Sequence, residues 1–461
     1  MTDHPSHRLV ETGGPNLLEG IFPYTEVPRI PFDGPILEVI NGQVVRFDPD
    51  EAVRRDLHIT DTTFRDGQQA RPPYSVEQMV TVYDLLARLG GPNGVIRQTE
   101  FFLYTRNDRE TIERCRALGH RYPEITGWIR ADPGDFKLVR DMGLRETGML
   151  TSCSDYHIFH KLRKDRRKAF DDYLAVVQEA IQNGVRPRCH LEDVTRADID
   201  GFVVPFVARL MELSEPLPEE LKVKVRLCDT MGYGISYPGA ALPRSIPKLI
   251  HRMVHEAGVP PERLEWHGHN DFHKVHINAA TCWLYGANAL NASLFGFGER
   301  TGNPPLEGAL IEYAGIKGHS NGADLAVITE IAEYFTRTVG ATIPANYPFV
   351  GLDFNTTRAG IHADGLRRDE RIYSIFDTAR ILRRPPQVAI TDKSGADGVA
   401  LWVNQHLGLT GDAQLSKIKV HKIARWVMDQ YNLHGRTTAI SADELAEQVR
   451  LHLPEYAAGR R

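Results

Sequence analysis

Residues 170–192 read FDDYLAVVQEAIQNGVRPRCHLE. Phe170, Tyr173, Leu174, Val177, Ala180 and Ile181 recur at helical spacing, Asn183-Gly184 stops that pattern, and Val185–Glu192 continues as a short β-rich run. The same unit of helix, glycine stop and strand repeats on both sides. The β-rich runs are Leu57–Asp61, Val95–Phe102, Ile125–Arg130, Leu144–Leu150, Val185–Glu192, Val223–Asp229, Leu264–Gly268 and Ala289–Phe295. Val76-Met79-Val80-Tyr83-Leu86 and Ile246-Leu249-Ile250-Met253 are further helical stripes, and Gly90-Gly91-Pro92, Ala257-Gly258 and Tyr285-Gly286 stand where helices should end. Eight strands alternating with eight helices over about 260 residues is the length and order of a (β/α)8 TIM barrel. The alternative is an open doubly wound sheet. The count of eight, and the lack of a G-x-G-x-x-G after the first strand, favour the barrel.

This places a catalytic barrel at residues 56–320, an N-terminal extension at 1–55 and a C-terminal part at 321–461. Ile36–Phe47 reads as a β-hairpin with an Asn41-Gly42 turn, positioned to cap the barrel's lower mouth. After Gly318, helical stripes are expected at Leu325–Val339, Ile372–Leu382, Ile418–Tyr431 and Ala442–Leu451. Pro344–Arg371 and Arg383–Gly398 read as loop-rich, so the C-terminal part is expected to form one or two small helical subdomains.

Composition excludes several classes. The chain has 461 residues, 55 Lys plus Arg against 60 Asp plus Glu, and a formal charge of −5. That balance does not advertise nucleic acid. The longest apolar run, Phe202–Met211, contains Pro205 and Arg209 and falls well short of the roughly 20 residues of a membrane helix. Met1–Gly14 lacks the layout of a signal peptide. Five scattered cysteines (Cys115, Cys153, Cys189, Cys228 and Cys282) form no C-x-x-C pair, which points to a reducing cytoplasm.

Barrel chemistry sits at the C-terminal ends of the strands. At the seventh strand, His267 and His269 are two residues apart and aim at one point, suited to a divalent transition metal with open positions; hydrogen-bonded core histidines are the alternative. After the first strand, Asp61-Thr62-Thr63-Phe64-Arg65-Asp66-Gly67 offers Asp66 as a carboxylate ligand. After the eighth, Gly298-Glu299-Arg300-Thr301-Gly302-Asn303 reads as an anion cradle at a helix start, with Asn303 in reach of the metal. Arg188, His190 and Glu192 share one face of the fifth strand, where three polar residues are costly unless used. Thr230 brings a hydroxyl to the rim after the sixth strand, and Arg130 ends the third.

Together, Asp61–Gln69, His267-x-His269-Asn270-Asp271 and Gly298–Asn303 resemble the metal-dependent Claisen-condensing synthases, the isopropylmalate/homocitrate synthase family. Asp66–Tyr74, Leu89–Gly94 and Ser154–Phe159 are most similar to that family's Re-citrate synthase branch. The resemblance implies a divalent metal on Asp66, His267, His269 and Asn303, with manganese first among Mn2+, Mg2+, Co2+ and Zn2+. It implies Arg65 as stabiliser of a developing oxyanion, Glu192 and His362 as acid/base groups and Thr230 as the holder of the substrate's 1-carboxylate; Arg188, His190 and Arg130 are the further expected substrate contacts, with pairing to a core carboxylate as the alternative for Arg130. Gly298, Arg300 and Gly302 then face the acyl-CoA. His362 lies in Ala359–Gly365 and matches a histidine that enters the neighbouring protomer's site, implying a homodimer with exchanged C-terminal subdomains; Tyr373 is its candidate tyrosine partner. The tail is used up by helical subdomains, so the leucine-sensing domain of isopropylmalate synthases is not expected.

Arg188 is placed to meet a distal carboxylate, and His190 shortens the pocket, favouring oxaloacetate over 2-oxoglutarate. The expected reaction is condensation of acetyl-CoA with oxaloacetate and hydrolysis to citrate and CoA. The alternatives are homocitrate synthesis from 2-oxoglutarate and a non-catalytic metal- or acyl-CoA-binding regulator.

Overall fold

The computed structural model describes residues 13–457, so the first twelve residues of the expected 1–55 extension lie outside the described residues. The extension carries a hairpin of β1 (Ile36–Ile40) and β2 (Gln43–Phe47), joined by Asn41 and Gly42, both at positive φ. That is the backbone an Asn-Gly two-residue turn supplies. The hairpin does not cap the lower mouth. Phe47 packs its ring on His251 and Tyr285, and Asn41 reaches Glu256, so it lies along the outside of the wall. Period-two alternation is the reason: Ile40 and Phe47 turn inward, while Leu37, Val39 and Val44 on the other face stay exposed.

Eight strands then close a barrel in the order β10-β3-β4-β5-β6-β7-β8-β9. They are β3 (His58–Asp61), β4 (Ile96–Phe102), β5 (Glu124–Arg130), β6 (Glu146–Ser152), β7 (Arg186–Glu192), β8 (Lys224–Asp229), β9 (Leu264–Gly268) and β10 (Ala289–Ala292). Every pairing around the ring is parallel. The (β/α)8 expectation holds. The hairpin is followed by α1 (Pro49–Arg54), and the barrel strands by α2 (Val76–Gly90), α3 (Arg106–Ala117), α4 (Phe136–Asp141), α5 (Arg166–Gln182), α6 (Val204–Ser214), α7 (Ile246–His255), α8 (Val275–Tyr285) and α9 (Leu306–Lys317). Ser75 and Thr105 close capping boxes that start α2 and α3, and Asp165 caps α5.

The eighth strand ends at Ala292, three residues before the sequence pattern suggests. Phe295 turns left-handed (φ 55) there, and its N–H donates to Oε2 of Glu307 at 3.1 Å. Glu307 is buried, and burial pushes its carboxyl up to about 7. A carboxyl raised in the folded state holds its proton where the unfolded chain has lost it. Its cost therefore builds as pH rises from about 4.5 to 7 and is complete above that, reaching at most about 3 kcal/mol. Glu307→Gln is expected to flatten the fall in melting temperature between pH 5 and 8; an unchanged slope would assign that fall to other groups.

The C-terminal part holds α10 (Val327–Tyr334) and α11 (Gly360–Arg368), then helices Thr378–Leu382, Gly395–Leu407, His421–Asn432 and Ala442–His452. Gly360–Arg368 falls wholly, and Gly395–Leu407 by its first turn, where loops are expected from the sequence. Glycine lowers intrinsic helix propensity there, but it also lets the two helices pack closely around buried Ala363, Gly398 and Val399. Ile372–Leu382 is helical only from Thr378. Two cores result. Val327, Ile331, Val350 and Phe376 join the barrel core, whereas Ala363, Val388, Val399, Ile423 and Val449 form a separate small one. No helix of the described residues is long and apolar enough to cross a membrane.

Candidate active site

Strand register decides which side chains share a level. Glu192 pairs with Ser152 and Cys228, and Cys228 with His267, so the ends of β6, β7, β8 and β9 stand abreast. On the other side of the seam, Ala292 pairs with Asp61, and the chain turns sharply through Thr62–Asp66. Phe64 stacks on Phe101 beneath that turn and fixes it, so Arg65 and Asp66 project over the mouth.

Asp66, His267 and His269 converge: their ligand atoms lie within 4.8 Å of one another. Asp66 Oδ2 is 3.8 Å from His267 Nε2 and 3.7 Å from His269 Nε2. Tautomers follow from the outer hydrogen bonds. His267 Nδ1 faces Asn291 Oδ1 at 2.8 Å, and His269 Nδ1 faces the Glu299 carbonyl at 3.3 Å. Asn291 donates its own amide to Thr60, which turns its oxygen toward His267. Both imidazoles thus donate from Nδ1 and leave Nε2 as a lone pair. Burial and the neighbouring imidazole push His267 down to about 3, and burial lowers His269, so both rings are neutral. Two lone pairs face each other at 3.2 Å beside a buried carboxylate oxygen that has no hydrogen-bond partner. Such a set is unfavourable unless a cation sits among the three atoms, and two imidazoles with one carboxylate match a divalent metal. Asn303 adjoins Asp66 and helps to hold its carboxyl low, while its amide donates to the Phe297 carbonyl at 3.1 Å.

Arg65 lies against this cluster. Its Nε donates to Glu100 at 2.8 Å, its Nη1 to Asp66 at 3.2 Å, and its guanidinium sits 5.5 Å from the Trp128 ring centre. Two carboxylates and an aromatic face remove its rotamer freedom, so its remaining donors are preorganised. The pocket beneath has a volume of about 270 Å³ and is lined by Arg65, Asp66, Trp128, His190, Glu192, Cys228, Thr230, His267, His269 and Arg300, among others.

Of the remaining expected residues, some reach this pocket and some do not. Glu192 does. Burial raises its carboxyl, but hydrogen bonds from His157 and Ser152 and the charge of Lys161 outweigh that and hold it down at about 2. It is therefore an ionised acceptor that orients an imidazole, with His157 Nδ1 at 3.0 Å. Thr230 lines the pocket and its oxygen accepts the Asp193 N–H at 2.8 Å. His190 lines the pocket floor in the space a side chain at Gly148 would fill. Burial and Arg226 hold its ring neutral.

Arg188 does not reach the pocket. It is the third residue of β7, two positions below His190, and is buried between Glu100 (2.8 Å) and Glu146 (3.1 Å). It neutralises carboxylates inside the barrel rather than binding substrate. Arg130 also misses: it ion-pairs with Asp135 at 2.9 Å and leans on Tyr104 outside the mouth. Gly298 and Gly302 serve backbone packing. A Cβ at Gly302 would overlap the Gly296 carbonyl, and one at Gly298 the Asn303 side chain. The N–H groups of Gly302, Asn303 and Leu306 are spent on Glu299, Gly296 and Ser293, which leaves no open cradle at those three positions. Arg300 lines the rim, paired to Asp271 at 2.9 Å and bonded to the Thr230 carbonyl. His362 is on α11, away from its own chain's pocket, with its ring 4.4 Å from Tyr373. Gly365 makes room for that tyrosine ring.

Asn291, Glu100, Trp128 and His157 were not singled out from the sequence. Glu100 carries the same signal as Arg188, a polar residue on the inward face of an apolar strand. The other three depend on contacts between distant segments.

Comparison with known proteins follows from this geometry. The chain is 54% identical over 449 residues (97% of this chain, 69% of the relative) to "Citrate (Re)-synthase" of Syntrophus aciditrophicus (strain SB). It is 49% identical over 451 residues (97% and 96%) to "Citrate (Re)-synthase" of Clostridium kluyveri. To "2-phosphinomethylmalate synthase" of Streptomyces hygroscopicus it is 38% identical over 403 residues (86% and 89%). A family profile described as HMGL-like matches residues 56–335, the whole barrel with its metal-type cluster, and the chain belongs to that family.

Proposed function

We propose that this protein condenses acetyl-CoA with oxaloacetate and hydrolyses the product thioester to citrate and CoA. The observation that carries the reading is Asp66, His267 and His269 meeting beside Arg65 in one small polar pocket. The names of the two relatives near 50% identity support the reaction class. Asp66, His267 and His269 hold the divalent cation, manganese being the first candidate, with Asn303 adjacent. Once bound, that cation polarises a 2-oxo acid carbonyl as a Lewis acid.

The chain's own groups do the rest. Arg65, locked by Glu100, donates to the carbonyl oxygen and stabilises the alkoxide as the new carbon–carbon bond forms. Glu192 orients an imidazole that takes the methyl proton of the acetyl thioester. His362 of a second copy is the candidate imidazole, since His157, held by Glu192, turns its other nitrogen toward buried Asp193. Thr230 contacts the 1-carboxylate. Water then attacks the thioester carbonyl, CoA leaves as the thiol, and the alkoxide is protonated. His362 and Tyr373 lie together, flanked in the chain by exposed Ile361, Ile372 and Ile375, a surface that supports a homodimer in which each copy completes the other's site. Five buried thiols without a disulfide support a reducing, cytoplasmic setting.

The 270 Å³ pocket, floored by His190, favours the shorter dicarboxylate. Thiol release from acetyl-CoA is expected with oxaloacetate at least about tenfold above 2-oxoglutarate, roughly the discrimination one extra methylene commands. A preference for 2-oxoglutarate would make the enzyme a homocitrate synthase. No turnover with any oxo acid after metal addition would favour a non-catalytic binder.

A further inference from the structure

The turn between β10 and α9, residues 293–305, serves the metal cluster twice. The Glu299 carbonyl faces His269 Nδ1 at 3.3 Å and sets that ring's tautomer, and Asn303 adjoins Asp66. Bonds inside the turn give it its shape: the Asn303 N–H donates to the Gly296 carbonyl at 2.8 Å, and the Gly302 N–H to that of Glu299 at 3.1 Å. Its seat on the barrel depends on Phe295. That residue stands at φ 55, a region a bulky side chain occupies only when its surroundings hold it there. Two groups do so. The Phe295 ring meets the buried Phe335 ring edge-on at 4.9 Å, and the Phe295 N–H donates to Glu307 Oε2 at 3.1 Å.

Glu307 is 2% exposed, and its second oxygen, Oε1, is buried with no hydrogen-bond partner among the described residues. A buried carboxyl is a costly acceptor for a single N–H, and it is favoured only where a neighbouring donor shares it. The neighbour is Tyr347. Its hydroxyl lies 3.4 Å from the point a Cβ on Gly296 would occupy, at the root of the turn. Burial and the adjoining Glu307 carboxyl push that hydroxyl up, so it keeps its proton and is a donor. Tyr347 belongs to the connection between α10 and α11, and that connection is stiff. The Tyr347 N–H donates to the Pro344 carbonyl and the Gly351 N–H to that of Tyr347, both at 2.9 Å. Arg384 donates to the Val350 and Gly351 carbonyls at 2.8 and 2.7 Å. A Cβ on Gly351 would overlap the Ala345 carbonyl, so the loop closes tightly on itself.

We infer that Glu307 and Tyr347 are positioning residues for the metal centre. Glu307 holds Phe295 in its left-handed conformation, and Tyr347 holds Glu307 from the α10–α11 connection. Together they seat the turn that presents the Glu299 carbonyl and Asn303 to the ligands. Neither lines the pocket, so both act through that turn. The assignment rests on the proposed divalent cation at Asp66, His267 and His269. It makes the α10–α11 connection part of the support of the metal site and not a mere spacer before His362.

The test titrates full-length Glu307→Ala, Tyr347→Phe, the double variant and Glu307→Gln with Mn2+ by calorimetry, and follows kcat against Mn2+ concentration. Glu307→Ala is expected to raise the Kd for Mn2+ about tenfold or more, the size outer hydrogen-bond partners command, and Tyr347→Phe about threefold or more. The double variant should match Glu307→Ala within about twofold, because the hydroxyl acts through the carboxyl. Glu307→Gln keeps an oxygen for the Phe295 N–H and should stay within about twofold of wild type. At saturating Mn2+ the kcat of both single variants should return to within about twofold of wild type. Ile423→Ala, in the separate small core, should lower the melting temperature without moving the Kd, which separates positioning from lost stability. If Glu307→Ala does not fold, the nearly isosteric Tyr347→Phe decides alone. An unchanged Kd in Tyr347→Phe, a loss in Glu307→Gln equal to that in Glu307→Ala, or additive losses in the double variant would overturn the assignment and leave the metal ligands standing. A wild type that binds no Mn2+ would overturn the metal reading and this assignment together. Weaker Mn2+ binding in the variants, without turnover on any oxo acid, would uphold the assignment and remove only the condensation reading.

Discussion

His267→Ala is expected to remain folded and to lose at least about 10³-fold in kcat/KM. A Lewis-acid metal contributes several kcal/mol to the transition state, and each 1.4 kcal/mol is a factor of ten. Chelation of wild type should produce the same loss, reversed by excess Mn2+. The alanine variant should not recover, because Asp66 and His269 alone leave an incomplete ligand set. Asn291→Ala should fall between them, with about 10–100-fold weaker metal binding, because it frees His267 to rotate and change tautomer. Isothermal titration with Mn2+ reads the binding, and thermal melts confirm that the fold survives. Full activity in chelated protein, or in His267→Ala, would refute the metal assignment.

Glu100→Ala should have the largest effect on stability, about 3–5 kcal/mol. Glu100 is buried at the centre of the barrel. Its carboxylate receives Arg65 at 2.8 Å, Arg188 at 2.8 Å and Arg226 at 3.2 Å. Burial alone raises its carboxyl, yet Arg226, Arg65, His190 and Arg188 outweigh that and hold it well below the usual carboxylate range. Removing it leaves guanidinium groups in the barrel with too few counter-charges. It also frees Arg65, so activity should fall even at temperatures where the variant is folded. Chemical denaturation read by circular dichroism measures the first effect, and kcat on folded protein the second. A loss below about 1 kcal/mol would show that Glu146 and Glu265, which also contact this cluster, suffice to balance it.

This charged interior marks where reading from sequence is weakest. The barrel was legible because it is a repeating local signal: eight β-rich runs with helical stripes and glycine stops between them. The pairing of His267 with His269 was legible for a related reason. Residues i and i+2 on one strand must share a face, so His267 and His269 point together in any barrel that contains β9. Arg188 obeyed the same rule and was still misread. Alternation says which face a side chain takes but not its depth, and two residues along a strand separate the pocket floor at His190 from the buried ion pairs at Arg188. In the Gly298–Asn303 turn, only the closed backbone shows that the Gly302 and Asn303 N–H groups are spent on the Glu299 and Gly296 carbonyls.

The sequence by itself therefore determined the (β/α)8 architecture, the level at which chemistry occurs, and the Asp66, His267 and His269 set. All of these follow from periodicity and strand geometry, which are short-range. The tertiary structure alone decided the tautomers set by Asn291 and the Glu299 carbonyl, the clamp of Glu100 on Arg65 and the placing of His362 against Tyr373. Each of these brings together side chains from separate strands, loops or helices. Those contacts exist only once the ring is closed and the strand register is set, and no local pattern encodes them.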